Sequence, residues 1–264
     1  MSLEKKLKQV QKQWKQGKYK TAVRTTGFCV ATACVVLLGV YFFRGRQAES
    51  DLDALRQAKQ NAIESGEKGE PLQITNKEVM SQYRDLFLQN PDMIGWLTIE
   101  GTNVDSVVMW VPEQNDFYLN RGFDKQESQN GLFFLDEASN INEDGGNLIV
   151  YGHNMKNGSM FADLLKYEKE SFWKEHSTIL FDTLYESRVY EIGAVAKSTD
   201  LSLFPYDFTS ASEETARAAI SRMQEASLYD TGVDMRYGDE FLTLSTCDYS
   251  EPDGRFVVMA RRIQ

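Results

Sequence analysis

The sequence has 264 residues, of which 42% are hydrophobic and 12% aromatic, enough for one sizeable domain with a packed core or for two small ones. The net charge of -10 is unevenly distributed. Residues 1–24 carry eight basic side chains against Glu4 alone, whereas the rest of the chain carries 21 basic and 38 acidic side chains. This acidic body excludes a nucleic-acid-binding surface, which needs clustered Lys and Arg. With five prolines and no low-complexity tract, wholesale disorder is also excluded.

An uncharged apolar stretch occupies residues 25–43, between Arg24 and Arg44. Its 19 residues approach the ~20 that a helix needs to cross the hydrocarbon core of a bilayer. A buried core helix would show a polar stripe, and a cleaved signal peptide would have a shorter apolar region followed by small residues. We therefore expect an uncleaved signal-anchor, with residues 1–24 in the cytoplasm and residues 44–264 outside, as the positive-inside rule predicts.

Cys247 is the only cysteine of the part predicted to be exported, because Cys29 and Cys34 lie in the apolar stretch. An unpaired thiol in an oxidising compartment is a liability unless it is buried or used. The cysteine count by itself leaves a structural and a functional role open.

The region between the anchor and Pro91 is predicted to be mostly helical. In residues 48–65, Leu52 and Leu55 stand at loosely helical spacing among charges, which predicts an exposed stalk helix followed by a linker at residues 66–71. Residues 75–78 fit a capping box formed by Thr75 and Glu78. This motif predicts a helix that starts there and ends near Asn90.

After Pro91 the sequence changes to short β-rich runs divided by turns, which predict a closed antiparallel-rich barrel or a sandwich. The eight runs are residues 95–99, 104–111, 131–135, 147–151, 178–182, 188–197, 240–246 and 255–261. Two helices are expected between them, at residues 160–168 and 212–226. The second begins with Ser212, a suitable N-cap, followed by two acidic residues.

One candidate for chemistry is the strand end at Cys247. Alternation along residues 241–248 puts Ser245 and Cys247 on the same face of the predicted strand. Seven residues, ending in a Pro-Asp-Gly turn signal, separate Cys247 from Arg255 at the start of the next strand. A hairpin here would bring the guanidinium beside the thiol, where it could favour the thiolate and donate to an oxyanion. An ordinary surface arginine at a strand end remains the alternative.

The candidate base is one of only two histidines. His153 follows an apolar run and so lies at a second strand end, with Gly152 permitting an unusual backbone beside it. His176 lies in a charged stretch and is expected to be exposed. One exported cysteine and two distant histidines have no ligand spacing, so we predict no metal.

These groups predict nucleophilic catalysis. The thiolate of Cys247 would attack an amide carbonyl, and His153 would give a proton to the leaving amine and later take one from an incoming amine. Asp248 either orients a neighbour or the substrate, or is a solvated turn carboxylate.

The order of His153, the Thr-Leu-Ser-Thr-Cys run at residues 243–247 and Arg255 resembles that of the sortases, and within them class B. The likeness covers about residues 75–264. Its other matching stretches are residues 90–96, 99–102, 115–119, 131–136, 147–155 and 254–258.

This resemblance implies a mainly β fold: an eight-stranded sortase β-barrel with N-terminal helices packed against it and an inserted helix between strands 6 and 7. It implies Cys247 as nucleophile, His153 as acid and base, and Arg255 as the oxyanion-binding residue, with no metal or cofactor. Ser245, Thr246 and Asp248 become substrate-binding candidates, together with the segment around Tyr206.

The resemblance also implies a substrate class. Family members cleave a C-terminal sorting signal of exported proteins after a threonine, and class B signals resemble Asn-Pro-x-Thr-Asn/Gly. They then join the acyl group to an amine of the cell-wall crossbridge. The expected partners are thus secreted proteins with sorting signals, a peptidoglycan precursor or crossbridge amine, and the membrane of a Gram-positive cell.

The predicted domains are a cytoplasmic basic arm (1–24), a transmembrane signal-anchor (25–43), an extracellular stalk and linker (44–74) and a sortase catalytic domain (75–264). Alternatives are a class B pilin polymerase with a lysine acceptor, a non-catalytic anchored scaffold, a cysteine hydrolase and an L,D-transpeptidase. Papain-like hydrolases place Cys before His, however, and the Ser-x-Gly-Cys context of L,D-transpeptidases is absent.

Overall fold

The computed structural model describes residues 3–15, 17–66, 70–142, 146–210 and 212–264. The chain divides into two compact units, one up to Gln47 and one from Ala48 to Gln264.

The first unit is helical. Helix α1 spans Leu3–Lys15, and helix α2 spans Lys18–Ser65 and continues into the second unit. Among the described residues α2 is the one helix long and apolar enough to cross a membrane, and its most apolar window is not buried by protein. Large side chains of the predicted anchor, such as Leu37 and Phe42, are exposed. These features suggest a membrane anchor.

The part of α2 from Ala48 onward belongs to the second unit and packs into its core instead of forming an exposed stalk. Leu52 and Leu55, three residues apart and therefore on one face, are 5% and 9% exposed and belong to the main hydrophobic core. Arg56 Nε donates to the carbonyl of Asp105 at 2.8 Å. The prediction of an exposed stalk is wrong for this face, because its apolar residues are buried. Of the predicted linker, residues 67–69 lie outside the described residues.

A small hairpin replaces the predicted capping box. Strands β1 (Gln73–Ile74) and β2 (Lys77–Glu78) pair antiparallel, and the residues between them, Thr75 and Asn76, have φ of 46° and 68°. Two successive residues at positive φ are typical of a type I′ hairpin turn. Helix α3 (Ser81–Gln89) therefore begins later than predicted, after Met80, which provides no side-chain cap. It ends next to Asn90, its C-cap residue, as predicted.

The eight predicted β runs form one closed barrel. The strands are β3 (Met93–Thr98), β4 (Asp105–Met109), β5 (Phe133–Leu135), β6 (Gly146–Tyr151), β7 (Thr178–Thr183), β8 (Ser187–Ser198), β9 (Glu240–Asp248) and β10 (Gly254–Arg262). Their order around the barrel is β10-β8-β7-β3-β4-β5-β6-β9. The pairs β4–β5 and β6–β9 are parallel and the other six are antiparallel. The barrel is thus confirmed and the sandwich is not observed.

The inserted helices contribute to both hydrophobic cores. The helix predicted at residues 160–168 is a 3-10 helix (Phe161–Glu168), followed by α4 (Glu170–Glu175). Helix α5 (Glu213–Glu225) lies between the sixth and seventh barrel strands, as expected, and the hydroxyl of Ser212 accepts its capping bond from Thr215 N. The buried face of α5 forms a second core with β9 and β10, which includes Met223, Phe241 and Met259. Packing on both faces fixes the strands that carry the site.

Candidate active site

The β9–β10 hairpin brings Cys247 and Arg255 together. The antiparallel register makes Arg255 the direct partner of Cys247, and Gly254 the partner of Asp248. Directly paired residues have Cβ atoms about 4.5–5.5 Å apart on one face of the sheet. The return is closed by Asp253 at φ 59° and by a bond from Gly254 N to Glu251 O. The predicted hairpin is confirmed.

Parallel pairing of β6 with β9 places His153 beside the same position. Tyr151 pairs with Ser245, the last pair of this ladder, and the two segments continue from there to His153 and to Cys247. Two side-chain bonds hold these continuations together. Thr246 Oγ1 donates to Gly152 O at 2.7 Å, and Asn154 Nδ2 donates to Cys247 O at 3.0 Å. The structure therefore gathers His153, Cys247 and Arg255 at one end of three adjacent strands.

The imidazole of His153 is oriented by a backbone carbonyl. Its Nε2 lies 2.8 Å from the carbonyl oxygen of Leu119, in the 3-10 helix Phe117–Asn120. A carbonyl can only accept, so Nε2 carries the hydrogen of this bond. In the neutral ring Nδ1 is then the free acceptor. One nitrogen holds the ring in place, and the other is left to exchange a proton.

Gly152 is required for space and not for an unusual backbone. Its φ is not in the positive range, in contrast to the expectation from the sequence. A Cβ at this position would lie 2.6 Å from the ring of Phe133 and 2.8 Å from the ring of Phe161. These two stacked rings, with centroids 4.1 Å apart, leave room only for a glycine next to His153.

Arg255 is half-buried, and no carboxylate of the described residues pairs with its charge. Its Nη1 donates to the carbonyl of Gly254 at 3.2 Å, and it forms no salt bridge within the described part of the chain. Its positive charge also affects Tyr206. Burial raises the pKa of the Tyr206 phenol, and the bond to Ser245 and the charge of Arg255 oppose that rise. A guanidinium with free donors next to a thiol can bind a developing oxyanion.

The three candidate substrate-binding residues differ in their surroundings. Ser245 is 2% exposed, and its hydroxyl lies 2.7 Å from Tyr206 Oη. The hydroxyl of Thr246 is used in the bond to Gly152 O, so it ties β9 to β6. The carboxylate of Asp248 accepts bonds from the backbone N and the hydroxyl of Ser250, at 2.9 and 2.8 Å. Of the two interpretations of Asp248, this agrees with a turn carboxylate.

Two tyrosines that the sequence did not indicate lie near the site residues, Tyr151 near Arg255 and Tyr249 near Cys247. Tyr151 packs 6.2 Å from the Tyr206 ring and donates to Asp136 Oδ2 at 3.0 Å. Tyr249 is mostly exposed but lies close to the thiol. The pKa of its phenol is raised, first by partial burial and then by the charge of Cys247 and a hydrogen bond to it. Alternation could have indicated Tyr151, which shares a face with His153.

Other features lie apart from this cluster. His176 is half-buried instead of exposed, with Nδ1 at 2.8 Å from Glu100 O and its ring 4.4 Å from that of Phe172. An apolar groove of about 400 Å³ lies near α3 and the start of β3, lined by residues such as Met93 and Trp110. None of the clustered catalytic candidates lines it. No metal-ligating group of three His, Cys, Asp or Glu occurs among the residues that the structure describes.

Comparison with known proteins gives matches over most of the chain. Residues 97–263 match the Sortase family, described as a sortase domain. A Listeria monocytogenes protein named Sortase B is 31% identical over 249 residues, which cover 91% of this chain and 99% of that protein.

Solved structures match at the level of the fold as well. The Staphylococcus aureus sortase B-substrate complex has a TM-score of 0.73 and 25% identity, and covers 84% of this chain and 99% of that one. A structure of sortase B complexed with triglycine has a TM-score of 0.70 and 26% identity, with 83% and 98% of the two chains covered.

Proposed function

The chain belongs to the sortase family of cysteine transpeptidases, in class B, and on this premise we propose that Cys247, His153 and Arg255 are its catalytic residues. The substrate that we propose is a C-terminal sorting signal of an exported protein, similar to Asn-Pro-x-Thr-Asn/Gly and cleaved after the threonine. The acceptor is an amine of the cell-wall crossbridge.

In the first half-reaction the thiolate of Cys247 attacks the threonyl carbonyl carbon. Arg255 donates hydrogen bonds to the oxyanion that forms, which stabilises charge present in the transition state and absent from the substrate. When the C–N bond breaks, protonated His153 gives its proton to the leaving amine. The products are a threonyl thioester on Cys247 and the released C-terminal peptide.

In the second half-reaction the acceptor amine attacks the thioester. The imidazole of His153 is now neutral and takes a proton from this amine, while Arg255 again binds the oxyanion. Collapse of the tetrahedral intermediate forms the new amide bond and releases the thiolate of Cys247. The enzyme is thus returned to its starting protonation state.

The observation that carries this proposal is the arrangement of three strand ends. Arg255 is the ladder partner of Cys247, and His153 lies two residues beyond Tyr151, whose ladder partner Ser245 is on the strand that carries Cys247. The bond of His153 Nε2 to Leu119 O supports its role, because it leaves the other ring nitrogen for proton transfer.

The donor peptide is proposed to lie against the tyrosine-rich wall next to the thiol. Ser245 and Tyr206 are bonded to each other, and Tyr151 packs beside Tyr206. Thr246 is proposed to position β9 instead of contacting the peptide, because its hydroxyl is already bonded to Gly152 O. The named substrate and triglycine complexes of sortase B support a peptide donor and an amine acceptor of this kind.

The proposed location is the cell membrane, with a single crossing by α2, a cytoplasmic N-terminus and an extracellular catalytic unit. The uncharged residues 25–43 and the basic residues before them support this topology. The proposed domains are a cytoplasmic arm at residues 1–24, a membrane anchor at residues 25–43 and a catalytic unit that includes the packed part of α2 from Ala48 onward.

The test uses residues 48–264 with a quenched Asn-Pro-x-Thr-Asn peptide, and product masses are read with triglycine, with a lysine amine, or with no acceptor. A threonyl–amine adduct that is lost in Cys247→Ala and His153→Ala is the expected result, and the preferred amine identifies the acceptor class. A lysine adduct in preference to triglycine would assign the chain to pilin-type polymerisation. Release of the free acid at the same rate with every amine would contradict transpeptidation to these acceptors.

A second readout separates the enzyme from a scaffold. A peptide-like alkylating reagent should label Cys247 in the folded protein, and mass spectrometry should find one adduct. An unreactive thiol in a protein with a normal unfolding transition would contradict the proposed nucleophile.

A further inference from the structure

Helix α1 carries a continuous apolar stripe. Leu3, Leu7, Val10 and Trp14 follow one another at intervals of four, three and four residues. At about 100° per residue these side chains fall within an arc of about 60° of the helix circumference. They are exposed, from 47% for Val10 to 79% for Leu3. An exposed apolar stripe along a whole helix indicates a partner surface.

The remaining circumference of α1 is polar and carries the lysines of the helix. Lys5, Lys8 and Lys12 lie on the side opposite the stripe, by the same helical geometry. Glu4 is the only acidic residue of the helix, and it pairs with Lys8 at 3.4 Å. A helix with one narrow apolar face, a Trp on it and lysines elsewhere has the composition of helices that lie in a membrane interface.

The chain separates α1 from the predicted anchor helix at Gly17. This residue has φ 74°, and its N donates to Trp14 O at 3.1 Å, a contact that ends α1. A residue at positive φ, which glycine adopts without strain, interrupts the helix between Lys15 and Lys18. An in-plane helix joined to a membrane-crossing helix needs such a break.

We propose that α1 is an interfacial helix that binds anionic phospholipid in the cytoplasmic leaflet. Its apolar stripe lies at the boundary of headgroups and acyl chains, and its lysines contact lipid phosphates. The proposal rests on the topology proposed above, which puts residues 1–24 on the cytoplasmic side.

Charge and chain continuity select the lipid over other occupants. The apolar residues 25–43 follow α1 closely, so α1 is tethered at a bilayer surface whether or not it binds there. The cytoplasmic leaflet is negatively charged and attracts juxtamembrane lysines. A second copy of α1 would cover the apolar stripe but would supply no net negative charge to the lysines, which lie on the side opposite the stripe. The consequence is that the enzyme prefers membrane regions rich in anionic lipid.

The test uses the full chain with Cys29, Cys34 and Cys247 changed to alanine, reconstituted in nanodiscs that leave both bilayer faces open. A nitroxide is attached through Leu7→Cys on the stripe or Lys8→Cys on the basic face. Power saturation then compares collisions with oxygen and with a water-soluble nickel chelate. In discs that contain phosphatidylglycerol, the oxygen-to-nickel ratio should be severalfold higher at position 7 than at position 8, and the contrast should weaken in phosphatidylcholine discs or at high salt.

A matched variant tests the electrostatic part. Changing Lys5 and Lys12 to glutamine keeps the apolar stripe and should remove most of the dependence on phosphatidylglycerol at position 7. Equal ratios at the two positions in anionic discs would overturn the proposal, because α1 would then be in water. If the ratios at positions 7 and 8 differ equally in phosphatidylglycerol and phosphatidylcholine discs, the recognition of anionic lipid is overturned. If the spectra show dipolar broadening between two labels in discs that hold two copies, a second chain and not the lipid is the partner. A wrong topology does not imitate any of these results, because both faces of a nanodisc are accessible.

Discussion

Cys247 and Arg255 are directly opposed across the β9–β10 ladder, so the backbone hydrogen bonds of two long strands fix the separation at which the two side chains leave the sheet. A flexible loop would have to order such a pair at each turnover. Here the second core, under β9 and β10, keeps both strand ends in place before substrate binds.

The first prediction concerns Arg255. We expect Arg255→Ala to lower the rate of thioester formation by about 10²–10³-fold, the usual loss for one oxyanion donor, with little change in KM. Arg255→Lys should recover only part of this rate, because an ammonium group lacks the planar fork of the guanidinium. Single-turnover mass spectrometry of the acyl-enzyme measures both variants. Arg236→Ala, at an exposed surface position, is the matched control and should keep the wild-type rate.

The second prediction concerns Gly152. A methyl group here meets the rings of Phe133 and Phe161 at 2.6 and 2.8 Å, so Gly152→Ala should shift the strand end that carries His153. We expect at least about a tenfold loss of kcat/KM and about 1–3 kcal/mol of lost stability from overpacking. Peptide cleavage and chemical unfolding measure the two effects. Gly122→Ala meets a flexible aspartate oxygen at 3.2 Å and Ser128 Cβ at an ordinary 3.7 Å, so it should change neither. An equally inactive Gly122→Ala would refute the steric argument.

The third prediction concerns the packed half of α2. Leu52→Ala removes a buried side chain from the main core and should reduce the free energy of unfolding by about 2–5 kcal/mol. Ile63→Ala, on the same helix but 51% exposed, should cost less than about 1 kcal/mol. Urea unfolding of residues 48–264 compares the two. Equal stabilities would mean that this helix does not pack on the barrel in solution.

The fourth prediction concerns alkaline pH. Burial, then the charge of Asp182 and the bond to it at 2.5 Å, raise the pKa of Tyr83 above the 10.0 of an exposed phenol. A folded-state pKa above the unfolded one means that the stabilisation is complete below pH 10 and is lost as pH rises beyond it. Chemical unfolding between pH 8 and about 11 should show this decline, with a smaller slope in Tyr83→Phe. Tyr237→Phe, at an exposed position, should leave the slope unchanged.

Local signals made the hairpin of the site predictable. The Pro-Asp-Gly turn between two β-rich runs leads to the pairing of Cys247 with Arg255, and sequence separation there is small. The position of His153 follows from the parallel β6–β9 pair, which joins segments 94 residues apart, and no local pattern in the sequence specifies such a pairing. Only the resemblance to a family predicted it.

Two errors have a common physical origin. Thr75 and Glu78 satisfy the capping-box pattern, but Thr75 and Asn76 adopt a hairpin turn, so a short motif was compatible with two structures. Leu52 and Leu55 are too few apolar residues to indicate a buried face, and their burial depends on the barrel surface that receives them. In both cases tertiary contacts decided between local alternatives.

The parallel β6–β9 pair has a consequence for how the protein matures. The hairpin that contains Cys247 and Arg255 is local in sequence and can form early, whereas β6 must be brought in from far along the chain, which is slow. Until it arrives, the thiol has an arginine beside it but no histidine to move protons. If the proposed topology and site residues are correct, a newly exported, incompletely folded chain would lack the means to cut peptides, and closure of the barrel would at the same time make the proposed site competent.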